Sequence, residues 1–110
     1  MVFRVPNCGN ELQAAAKAKL GLNGKTRVVA VNPIREGFDV YIVDLPCKNG
    51  FFAQEVAKHR NVPRESLWEK VAALEEVHGS STTQFPVFFL EMSGGRYRWS
   101  LQQRPAGDST

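Results

Sequence analysis

The chain is 110 residues long, 43% hydrophobic and 23% charged, with a net charge of +3 at neutral pH. That length suits a single domain, and burying roughly two-thirds of the unfolded surface gives it a core without metal or disulfide staples. The composition excludes a disordered chain. No apolar run approaches the roughly 18 residues of a membrane span, "MVFRVPNCGN" lacks the apolar stretch of a secretion signal, and Cys8 and Cys47 are too few for a disulfide framework. A cytoplasmic protein with no cofactor is the expectation.

"NELQAAAKAKLG" opens with Asn10 at a cap position and runs through strong helix formers to Gly21, which can close a helix in the left-handed conformation. "KTRVVAV" is β-branched and reads as a strand, and "NPIREG" as a turn. "GFDVYIVDL" is apolar on both alternating faces, which predicts a central strand covered on both sides. "FFAQEVAKHR" and "RESLWEKVAALEEVH" read as two helices, the second with Leu67, Val71, Leu74 and Val77 at helical spacing. "FPVFFLEM", the turn "SGG" and "RYRWSLQQ" predict a hairpin pairing Met92 with Tyr97, Leu90 with Trp99 and Glu91 with Arg98. The expected fold is α+β in the order α-β-β-α-α-β-β. It has a four-stranded, mostly antiparallel sheet, three helices and a C-terminal hairpin, in one domain over 1–103 with a tail over 104–110.

The stretch "AQEVAKHRNVPRESLWEKV" carries the first candidate site. Val56 and Ala57 supply an apolar residue and a small one, Asn61 and Val62 a turn residue and an apolar one, and Leu67 a buried position after Pro63. Over about twenty residues this resembles the helix-turn-helix family of DNA-binding domains. With the hairpin behind it, the order is similar to that of winged helices. The resemblance implies DNA binding with Arg64 in the major groove, Lys58 and Arg60 on phosphates, and Arg96 and Arg98 on a wing that reaches the backbone. The same segment also suits a helical corner packing its apolar stripe on a sheet.

Two other readings stand beside it. Tyr41, Val87 and Phe89, if uncovered, make an apolar patch for a protein partner or a second copy in a homodimer. Cys47, just ahead of an expected helix start and next to Lys48, has the setting of an activated thiolate, which would make the chain a cysteine-dependent hydrolase. The non-enzymatic readings are preferred. The two cysteines with His59 and His78 show none of the short spacings of a metal site, and Asp39 and Asp44 fall on opposite faces of one strand.

Overall fold

A computed structural model describes residues 8–21, 25–48 and 52–105. In chain order these form α1 (Cys8–Leu20), β1 (Thr26–Ile34), β2 (Gly37–Lys48), β3 (Phe52–Val62), a 3₁₀ turn (Arg64–Ser66), α2 (Leu67–His78), β4 (Val87–Ser93) and β5 (Arg96–Gln102). The strands make one sheet in the order β3-β2-β1-β4-β5. All neighbours are antiparallel except β1 and β4, which run parallel with Val29 beside Val87.

The α+β class stands, but among the described residues the sheet has five strands and is mixed, and there are two α-helices rather than three. The difference lies in residues 52–62. Their Ala, Gln, Glu and Lys favour a helix in isolation, yet β2 offers a free row of backbone groups, and "FAQEVAKHRNV" pairs with it as an edge strand. Tertiary pairing overrides local propensity here. "NPIREG" is shorter as a turn than expected. β1 continues through Asn32, Pro33 and Ile34, leaving only Arg35 and Glu36 between the strands. Pro33 lies beyond the stretch that pairs with β4, so its missing N–H costs no bond on that side.

Both faces of the sheet are covered. On one face, Leu12 and Ala16 of α1 pack on Val28, Ala30, Tyr41, Val43, Phe88 and Trp99. The small residues of α1 let the helix lie close, and Gly21, at φ 63°, ends it with its amide donating to the Lys17 carbonyl at 2.9 Å. On the other face, Leu67, Val71 and Leu74 of α2 cover Val29, Val31, Val40, Ile42 and Val87. Val77, expected on the same stripe, is 73% exposed. The β2 strand is buried on both faces, as its composition predicts. The β4–β5 hairpin has the predicted register, closed by Gly94 and Gly95, both at positive φ. Arg104, at the head of the expected tail, is held to the domain through Glu75 and the Phe85 carbonyl.

Candidate nucleic-acid interface

The strand β3 is one edge of the sheet, and it is irregular. Two residues, Arg60 and Asn61, stand opposite the single Asp39 between the pairs Val40–His59 and Phe38–Val62. A second shift sits between Ile42–Ala57 and Val43–Glu55. Asn61 adopts φ 59°, and its amide donates to Asp39 Oδ1 at 3.0 Å. The close approach continues at Gly37, where a Cβ would overlap the Val62 carbonyl. Bulges bend and twist an edge and re-aim its side chains.

Register decides which charges go where. His59 lies opposite Val40 and so faces α2, while Lys58 lies opposite Tyr41 on the α1 side. Beyond Pro63 the 3₁₀ turn carries Arg64, which is exposed. A cavity of about 450 Å³ opens between β3 and α2, with His59, Arg60, Asn61, Glu69 and Lys70 in its wall. Partial desolvation lowers the His59 pKa from its ordinary value, and the positive charges of Lys70 and His78 lower it further. On the α1 side the Tyr41 phenol is buried and pushed well above its ordinary range, first by desolvation and then by Asp39, while Arg60 acts in the opposite direction. It stays a neutral phenol at physiological pH and is no candidate proton donor. Residues 55–70 carry Lys58, Arg60, Arg64 and Lys70 against Glu55, Glu65 and Glu69.

The expected helix-turn-helix is absent, because its first helix is β3. Val56 and Ala57 lie in a strand, and Asn61, though left-handed as a turn residue would be, serves a bulge. Lys58 and Arg60 nevertheless lie on the edge strand, toward its α1 side, and Arg64 on the turn that follows it. Arg96 and Arg98 belong to β5, the opposite edge, about 19 Å away at the usual strand spacing. Arg98 pairs in register with Glu91, and the Arg96 side chain lies outside the described residues. Sequence reasoning missed His59 and Lys70 as groove residues, since a helical 51–60 would have separated them.

Of the apolar patch, Tyr41 is buried under α1, and Val87 is buried on the opposite, α2 face. Phe89 is half-buried beside Val87, stacked on Trp68 and edge-on to Phe38. The structure does not bring the three together on one open surface. Cys47 lies within β2, and the element expected as a helix after it is the strand β3, so among the described residues no helix starts there. Its side chain lies outside the described residues. Asp44 is on the α2 face, as its spacing from Asp39 predicts, and it binds Arg27 there at 2.7 and 3.0 Å.

A second cavity, of about 670 Å³, lies at the β5 edge beside Leu20, Phe85, Arg98, Trp99 and Leu101. Among the described residues no cluster of His, Cys, Asp or Glu could hold a metal ion, and no helix is long and apolar enough to cross a membrane. Comparisons with protein-family models, curated proteins and solved structures gave no match, so the functional reading rests on the β3 edge and its charges.

Proposed function

We propose that the protein binds nucleic acid through its phosphate backbone, along the β3 edge and the turn into α2. The supporting observation is the presence of His59 and Lys70 on one cavity wall, with Arg64 on the turn beside it and Lys58 and Arg60 on the same edge strand. Basic side chains along an exposed groove release counterions from phosphates, and this supplies affinity without base readout. Among the described residues no Phe, Tyr or Trp stands in the groove wall to stack on a base, so a contact with the backbone fits better than sequence reading. A cytoplasmic setting suits this role.

The test is a fluorescence-anisotropy titration of the full chain with a short labelled duplex at low salt. Replacing Arg64 and Lys70 together with alanine should weaken binding and flatten its salt dependence by about two charges. Replacing Arg98, on the far edge, should leave the curve in place. Absence of binding by folded protein at micromolar concentration, or an equal loss with the Arg98 variant, overturns the reading.

A further inference from the structure

Nucleic acid that lies on the β3 edge meets one group whose charge is variable at physiological pH. His59 is exposed, faces α2 from the edge strand and lines the same cavity wall as Arg60 and Lys70. We infer that binding at this groove is coupled to protonation of His59, so that the protein takes up a proton when it binds a polyanion and holds it more tightly as the pH falls. The inference rests on the phosphate-binding reading of the β3 edge.

The surroundings set the direction. From α2, His59 is faced by Lys70, Glu69 and, further along, His78. On its own strand Lys58 and Arg60 flank it but lie opposite Tyr41 and Asp39, toward the α1 side, and the 3₁₀ turn beyond carries Arg64 and Glu65. Its partner on β2 is Val40, which is uncharged, while Asp39 lies on the other face and accepts the Asn61 amide. Partial desolvation first, and then the positive charges of Lys70 and His78, disfavour the imidazolium in the empty groove. An arriving phosphate reverses the local sign and favours it. By linkage, a group whose affinity for protons rises on binding makes binding stronger at lower pH. Protonation also changes the balance over residues 55–70 from four cations against three carboxylates to five against three. One added cation is therefore a large fraction of the net charge available.

The experiment measures affinity for the same labelled duplex at fixed low ionic strength, from about pH 8 to about pH 5.5, the span in which imidazole titrates. Wild type should tighten by about threefold or more as the pH falls, the gain expected for one added phosphate contact. His59→Gln should hold a weak, pH-independent affinity, and His59→Lys a tight, pH-independent one. His78→Gln, outside the groove wall, should keep a pH dependence, displaced to higher pH by the loss of a positive charge that acts on His59. Binding that is present but flat with pH, or a slope lost with His78→Gln and kept with His59→Gln, overturns the coupling while leaving the phosphate-binding reading in place. No binding at any pH removes both.

Discussion

At the scale of single residues, Arg27 does more than pair with a carboxylate. Its Nε and Nη2 donate to the two oxygens of Asp44 across β1 and β2, and its Nη1 donates to the His78 carbonyl at 3.1 Å. It thus ties the last turn of α2 to the sheet, and α2 carries Lys70 to the groove. The hydrogen bond from Arg27 holds the Asp44 carboxyl below its ordinary value. Both side chains are about a third exposed, so Asp44→Asn should lower stability at neutral pH by no more than about 1 kcal/mol. A depressed carboxylate stabilises the fold above its unfolded-state pKa and loses that contribution as the pH falls through the folded value. The difference in urea midpoint between wild type and Asp44→Asn should therefore shrink in acid. A difference that persists below both pKa values would assign the effect to geometry rather than charge.

At the scale of elements, the β3 bulge is the feature on which the groove depends. It turns the chain after His59 so that Pro63 and the 3₁₀ turn can lead into α2. Asn61 holds φ 59° there, a conformation that disfavours branched side chains. Asn61→Val should destabilise the protein by about 1–2 kcal/mol, whereas Asn61→Gly should be tolerated, as thermal unfolding of the two would read directly. The same bulge explains why β3 was not legible in the sequence. In a regular strand, inward residues recur every second position. Here Ala57 and His59 face α2, then Val62 does, after a gap of three. The period-two signal is erased, and a run of helix formers remains. The one usable clue was Asn49-Gly50, a strong hairpin dipeptide, standing between a clear strand and the disputed segment. By contrast β2, with both faces apolar, and the β4–β5 hairpin, with complementary pairs on each face, could be read because their patterns are unbroken. The candidate site was legible only in part. Lys58, Arg60 and Arg64 stand out as charges, but their shared edge depends on a strand the pattern concealed.

At the scale of the molecule, the C-terminal segment locks the α2 layer. Glu75 is buried on α2 and accepts from both Arg104 and the Phe85 amide, while Arg104 lies over the Trp68 ring at 5.9 Å. Removing one partner of a buried ion pair leaves the other charge desolvated. A chain ending at Gln103 should be less stable than one ending at Pro105 by about 3 kcal/mol, measured by urea unfolding. Equal midpoints for the two chains would show that the pair contributes nothing. The parallel pairing of β1 with β4 has a consequence in time. β1 sits at the centre of the sheet, with β2 supplied at once by a two-residue turn and β4 arriving only after β3 and α2 have been made. During synthesis the nascent meander of β1, β2 and β3 must wait with the flank of β1 that will meet β4 unpaired. Of the pairings in the sheet, that of β1 with β4 closes the longest loop and so carries the largest closure entropy. Until it docks, the inner flank of β1 is the place where a second nascent chain could pair in β4's stead.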